Sequence, residues 1–157
     1  MDKMRLLFVC LGNICRSPSA EAVMTALVEK HGAGGRFEID SAGIIGVHEG
    51  EPADSRMKRF ARKRGYQLNS ISRPVNPDFD FEYFDMVVAM DDENVRDLLA
   101  MAPNEAARNK VVKITDYAQS MGYNEVPDPY YGGEDGFILV LDLLEDACEG
   151  LYQQLTP

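Results

Sequence analysis

Cysteine is scarce in this chain: Cys10, Cys15 and Cys148 are the only three among 157 residues. An odd, small number builds no disulfide framework and falls short of a four-thiolate zinc site. Long apolar runs are missing too. The stretch Leu6–Leu11 is far below the roughly 20 residues that cross a bilayer, and no signal-peptide cleavage pattern follows it. Positive charge is in deficit, with 16 Lys and Arg against 26 Asp and Glu, a net charge of −10. Phosphate contacts by basic side chains supply most nucleic-acid affinity, so a general binder of nucleic acid or anionic membrane is excluded. There is no internal repeat, low-complexity stretch or linker. With 45% apolar and 27% charged residues, the composition is that of a globular protein. These absences together predict a soluble, reduced, cytoplasmic protein with one domain over residues 1–157 and no nucleic-acid or membrane partner.

What is present is an alternation of short apolar strands and helical periods. Leu6–Cys10 reads as a buried strand, followed by Gly12-Asn13 and a helix starting near Ser17-Pro18, where proline suits the first turn. Ala20, Val23, Met24, Leu27 and Val28 give that helix its apolar stripe, and the glycines from Gly32 to Gly35 end it. Phe37–Ser41, Asp85–Met90 and Val111–Ile114 read as further strands. Asp54 is placed to cap a helix through Arg64, and Asp91 or Asp92 another; a last helix runs from about Asp135 to Leu155. This pattern predicts an α/β fold of three layers, a four-stranded parallel sheet flanked by helices. Ligands bind such sheets beyond the carboxyl ends of the strands. There the map puts Cys10 to Arg16, Ser41, Asp91 and the loop after Ile114.

The first of these segments carries chemistry. Cys10-Leu11-Gly12-Asn13-Ile14-Cys15-Arg16-Ser17 lies between a strand and a helix N-terminus. Successive backbone N–H groups can curl there into a nest for a tetrahedral anion, and the helix dipole adds positive potential. Gly12 and Asn13 are residue types that tolerate the positive φ of such a curl. Arg16 can bind two oxygens bidentately. The same field favours a thiolate at Cys10, and Ser17 can donate a hydroxyl hydrogen bond to it. The result is a nucleophile under a phosphate-binding loop after strand 1, suited to covalent phosphoryl transfer without a metal or other cofactor. A bare Cys-x5-Arg spacing is weak; the preceding strand, the Gly-Asn turn and the Ser-Pro helix start give it force.

The block Cys10–Pro18, joined by Asp128-Pro129-Tyr130-Tyr131-Gly132 near the other end, resembles the low-molecular-weight protein tyrosine phosphatases over nearly the whole chain. The resemblance implies Cys10 as nucleophile, Arg16 as phosphate ligand and Asp128 as general acid. Residues Leu11 to Ser17 would bind phosphate, with Asn13, Ser17 and Ser41 supporting the loop. It also implies phosphotyrosine-bearing proteins or peptides as substrates and inorganic phosphate as product. A carboxyl on a facing loop suits the acid's task, since expulsion of a phenolate-like oxygen needs a proton. Tyr130 and Tyr131 can stack on an aromatic substrate ring. Val47 stands where relatives often carry an aromatic crevice wall. Ser70-Ile71-Ser72 stand where many relatives have a histidine bonded to the loop asparagine, so Asn13 lacks that partner. Cys15 is expected to form a reversible disulfide with Cys10 that guards it from over-oxidation, as the pair does in the family.

The remaining polar features read more plainly. Cys148 is expected in the core, His31 at a helix end and His48 in a loop. Arg56, Lys58, Arg59, Arg62, Lys63 and Arg64 read as a solvated helix face, with steering of acidic phosphopeptides as the sharper alternative. An arsenate reductase on the same scaffold needs two further cysteines outside the loop, and only Cys148 is there. A phosphoarginine phosphatase tends to carry Thr where Ile14 stands. A phosphocysteine carrier typically lacks the arginine that Arg16 supplies, and a plain phosphate-binding module needs neither Cys10 nor Asp128.

Overall fold

The computed structural model describes residues 3–157. Four strands, β1 (Met4–Cys10), β2 (Phe37–Gly43), β3 (Met86–Ala89) and β4 (Val111–Lys113), form one parallel sheet in the order β2-β1-β3-β4. Among the described residues six α-helices connect and cover them: α1 (Arg16–Lys30), α2 (Ser55–Lys63), α3 (Asp80–Tyr83), α4 (Asp92–Met101), α5 (Glu105–Arg108) and α6 (Glu134–Leu155). The α/β class, the four parallel strands and the three layers are as the sequence predicts.

Alternation along the strands explains the layers, because successive side chains point to opposite faces. Leu6, Phe8 and Cys10 face one core with Val88 and Met90, beneath α1 and α6. Leu7 and Val9 face the other with Val87, Ala89, Phe81 and Leu98. Residues Leu6 to Val9 are fully buried, as befits a central parallel strand covered on both sides. On α6, Leu141, Leu144, Cys148 and Leu151 are buried, and burial pushes the Cys148 thiol up to about 12. Cys148 is therefore an inert core thiol.

Boundaries move by a residue or two. The sheet extends β1 back to Met4 and β2 on to Gly43, while Ile114 opens a 3₁₀ turn (Ile114–Tyr117) instead of ending β4. Both cap assignments hold: the Asp54 carboxylate accepts from the amides of Arg56 and Met57, and Asp91 from that of Asn94. The 3₁₀ turn packs so closely on α6 that a Cβ at Gly150 would lie 1.8 Å from the Tyr117 carbonyl oxygen.

Chain order reverses at β1: the chain passes from β1 to β2 on one side, then crosses to β3 on the other. Such a switch point leaves a crevice at the carboxyl ends of the strands. The loop after β1 and Asp91 after β3 open there.

Candidate active site

A pocket of about 390 Å³ lies at that crevice. Its floor is the loop after β1, through Cys10, Leu11, Gly12, Ile14, Cys15 and Arg16. Ile45, Val47 and His48 form one wall, and Asp128, Tyr130 and Tyr131 the other.

The loop is shaped from outside. The carbonyl of Cys10 accepts from the Ile44 amide, that of Leu11 from Ile45, and that of Ile14 from Asp54. The Gly12 carbonyl accepts from the Ser72 hydroxyl at 3.1 Å. A peptide held by its carbonyl on the outside turns its N–H inward, which makes the anion nest. Among the described residues no side chain caps α1, so its first amides also remain available to an anion.

Asn13 takes the left-handed conformation, at φ 57°. Gly12 does not, which corrects the expectation that both residues share the curl. What lies close to position 12 is the His48 ring: a Cβ there would come within 3.1 Å of it, and the ring would have to shift by a few tenths of an ångström. Asn13 is fixed at both ends of its side chain. Its Oδ1 accepts from the Arg73 amide at 3.0 Å, and its Nδ2 donates to the hydroxyls of Ser17 at 2.8 Å and Ser41 at 3.0 Å. Where the resemblance implies a histidine as the partner of this asparagine, the Arg73 backbone amide takes that place. Ser72 braces the neighbouring carbonyl.

Cys10 Sγ and Ser17 Oγ are 3.1 Å apart, both buried. Arg16 is only 3% exposed, and its guanidinium donates to Asp91 at 2.6 Å and to the Val126 carbonyl at 3.1 Å. Asp128 Oδ2 stands 3.7 Å from the same guanidinium. Burial opposes the positive charge of Arg16, but Cys10, Asp91 and Asp128 outweigh it and raise its pKa. Cys15 is buried close to Asp54, Cys10 and Asp128; burial first, then those negative charges, push its thiol well up. Cys15 is therefore held as a neutral thiol beside Cys10.

Asp128 divides its carboxylate between two tasks. Oδ1 accepts from the Tyr130 amide at 3.0 Å in a local turn, and Oδ2 is on the Arg16 side. Tyr131 is 92% exposed and meets Tyr130 edge to face. Tyr130 is half-buried, and the Arg56 guanidinium lies 5.4 Å above its ring and 4.9 Å from that of Phe137. Arg56 also donates to the Tyr130 carbonyl at 2.9 Å and to Asp54 at 3.0 Å, so it clasps the acid loop to α2.

Every residue expected in the phosphate loop, the acid loop and the crevice is therefore in or directly behind this pocket; Ser41 and Ser17 stand behind it with Asn13. Sequence reasoning missed Ile45, the Arg16–Asp91 pairing, the Arg56 clasp and His48. The His48 ring faces that of Tyr130 at 6.0 Å, and its Nδ1 contacts Glu51. Of the basic series, Arg56 and Arg64 are paired with carboxylates. Arg59 and Lys63 lie over the Phe60 ring.

A parallel α/β sheet that presents a thiol and a guanidinium on one Cys-x5-Arg loop is the architecture of a cysteine-dependent phosphatase. Residues 5–157 match the family described as "Low molecular weight phosphotyrosine protein phosphatase", and the chain belongs to that family. A Synechocystis protein named for the same family is 49% identical over 152 residues, which are 97% of this chain and 96% of that one. The crystal structure of a protein tyrosine phosphatase from Entamoeba histolytica superposes with a TM-score of 0.94 at 52% identity, covering 98% of this chain and 97% of that one. The Drosophila arginine phosphatase superposes with a TM-score of 0.91 at 30% identity, covering 98% and 99%.

Proposed function

We propose that this protein tyrosine phosphatase hydrolyses phosphotyrosine and small aryl phosphates in two steps, each residue acting from the position just described. In the first, the Cys10 thiolate attacks phosphorus in line. The S–P bond forms as the P–O bond breaks, and Asp128 gives its proton to the departing phenol oxygen. In the second, a water attacks the phosphocysteine and Asp128 takes the water's proton. The S–P bond breaks, inorganic phosphate leaves and the thiolate returns. Arg16 and the inward amides of residues Leu11 to Ser17 stabilise the equatorial oxygens as charge spreads over them. The observation that carries this reading is the convergence of Cys10, Arg16 and Asp128 on one pocket, with the Ser17 hydroxyl 3.1 Å from the sulfur.

Tyr130, Tyr131 and Val47 form the walls for the phenyl ring and its flanking residues. Val47 is 66% exposed and leaves its side low and aliphatic. Ile14 in the pocket floor favours an apolar ring edge over the polar guanidinium of phosphoarginine. A peroxide that converts Cys10 to a sulfenic acid would set the redox guard in action: the Cys15 thiol condenses with it, a disulfide forms and water leaves. A Cys15→Ser variant that recovers from peroxide under dithiothreitol as fully as the wild type would remove that role. Residues 1–157 act as one domain, in the cytoplasm, on phosphotyrosine-bearing proteins or peptides and not on nucleic acid or a membrane surface. Among the described residues no helix is long and apolar enough to cross a membrane.

The test sets hydrolysis of phosphotyrosine and of phosphoarginine beside reduction of arsenate with a thiol reductant supplied, all in EDTA. Phosphotyrosine is expected to be the substrate turned over, and Cys10→Ser is expected to abolish turnover. Substantial residual activity in that variant would refute the covalent mechanism.

A further inference from the structure

Behind the phosphate loop, the Asn13 side chain makes a directed chain of hydrogen bonds whose far end is not part of the mechanism above. Because Asn13 Oδ1 accepts from the Arg73 amide, its two Nδ2 protons are the ones that reach the serines, one to Ser17 and one to Ser41. Each hydroxyl therefore already receives a hydrogen bond from Asn13 and has one proton left to give. The Ser41 proton goes to Glu21 Oε1, at 2.6 Å. The Ser17 proton has two acceptors in reach, Cys10 Sγ at 3.1 Å and the Ala42 carbonyl at 3.4 Å. Remove the acceptor at Glu21 and the Ser41 hydroxyl is left as a buried donor free to turn on Asn13. Asn13 then keeps its Arg73 partner but loses the fixed Ser41 end, and with it one of the two anchors that hold its amide toward Ser17.

We propose that Glu21 is a positioning residue of the phosphatase site: its carboxylate anchors the Ser41 hydroxyl, and through Asn13 it holds the Ser17 hydroxyl as a donor to the Cys10 sulfur. This rests on the phosphatase reading given above. Glu21 is on the second turn of α1 and does not touch the substrate pocket. It lines instead a separate cleft of about 240 Å³ that shares no residue with the substrate pocket.

Two charged groups face Glu21: Asp40 on β2, which opposes its ionisation, and Arg73, which favours it. The cleft beside it presents only uncharged side chains, among them Thr25, Gln67, Asn69 and Ser70. Burial, the largest influence, raises the Glu21 carboxyl to about 7. The anchoring carboxylate is thus gained and lost around neutral pH. Loss of an ionised anchor on the acid side makes kcat rise as pH climbs through about 7. Loss of the general-acid proton would give the opposite slope.

The experiment compares wild type, Glu21→Ala, Ser41→Ala and their double variant on p-nitrophenyl phosphate, with Glu21→Gln for the pH profile. Glu21→Ala and Ser41→Ala should each lower kcat about tenfold, on the order of one buried hydrogen bond, with little change in KM. The double variant should be no worse than either single one, because both break the same chain. Glu21→Gln should lose the rise of kcat near pH 7. In the wild type, alkylation of Cys10 by iodoacetamide at pH 8, where Glu21 is ionised, should be faster than in Glu21→Ala, again by about tenfold, since the donor to the thiolate is lost. Losses that multiply in the double variant, a Glu21→Ala kcat within twofold of wild type, or a rise that persists in Glu21→Gln would each overturn the proposal. If Glu21→Ala does not fold, Ser41→Ala and Glu21→Gln decide the matter. A wild type inactive on the aryl phosphate would refute the phosphatase reading, and the alkylation rates would still decide the role of Glu21.

Discussion

Consider Arg16→Lys, which keeps the charge and removes the fork. The native guanidinium is 3% exposed and makes two bonds at 3.1 Å or shorter, to the Asp91 carboxylate and the Val126 carbonyl. A lysine ammonium is a point donor on a differently shaped stem and cannot hold both partners while also facing the loop. Asp91 has a side chain 21% exposed and can take water. Val126 is fully buried, so its carbonyl loses its partner at about 1–3 kcal/mol. For a domain of this size that lowers Tm by about 2–4 °C per kcal/mol. The catalytic loss is separate and larger. Removing one preorganised donor from developing oxyanion charge typically costs about 10²–10³ in kcat, and the bidentate grip on two equatorial oxygens goes with it. Steady-state hydrolysis of p-nitrophenyl phosphate beside a thermal melt reads both effects on one sample. A variant whose kcat stays within tenfold of wild type, with Tm reduced as stated, would refute the role given to Arg16.

Asp128→Asn should slow hydrolysis by about 10²–10³ for poor leaving groups and far less for good ones; a loss of equal size across a leaving-group series would count against proton donation. Glu21 contributes to stability with a definite sign. Its folded pKa, about 7, lies above its ordinary value of 4.5, so the native state holds the proton more tightly and stability falls as pH rises from about 4.5 to about 7. Glu21→Gln removes that penalty and should be more stable than wild type at pH 8, by at most about 3 kcal/mol, with little difference at pH 5. Urea titrations at the two pH values check this, and equal gains at both would contradict it. Gly150→Ala should lower Tm by several degrees or prevent folding, because its Cβ falls 1.8 Å from a backbone oxygen and overpacking against backbone costs about 1–3 kcal/mol or more; an unchanged melt would refute the close contact.

The parts legible in the sequence are those written in contiguous residues. The anion loop, its nucleophile and its arginine fall within Cys10–Ser17, and the acid with its two tyrosines within Asp128–Tyr131. Each motif carries its own local physics of turn, cap and charge. The central strands β1 and β3 were visible because burial on both faces demands continuous apolar runs, and the partly exposed edge strands β2 and β4 by their short β-branched and aromatic stretches. Helices α3 and α5, at four residues each, are too short to show a helical period. The Arg16–Asp91 bond joins residues 75 apart, and the Arg56 clasp on Tyr130 joins residues 74 apart. Nothing local marks such pairs; they exist only once the strands have brought loop ends together. Gly12 was visible as a residue of interest for the wrong reason: its freedom suggested a left-handed turn, whereas only Asn13 takes that conformation and what Gly12 meets is the His48 ring from another loop.

The Arg56 clasp bears on the timing of the reaction. An acid carried on a mobile lid must be ordered anew in every cycle, and closing or opening the lid then limits turnover. Here the acid loop is tied to α2 by a carbonyl hydrogen bond, to Asp54 through the same guanidinium, and by that guanidinium's contacts with two rings. The proton donor consequently waits in place before the substrate arrives. Part of its ordering entropy is spent during folding, and that much less is left to be spent in each turnover.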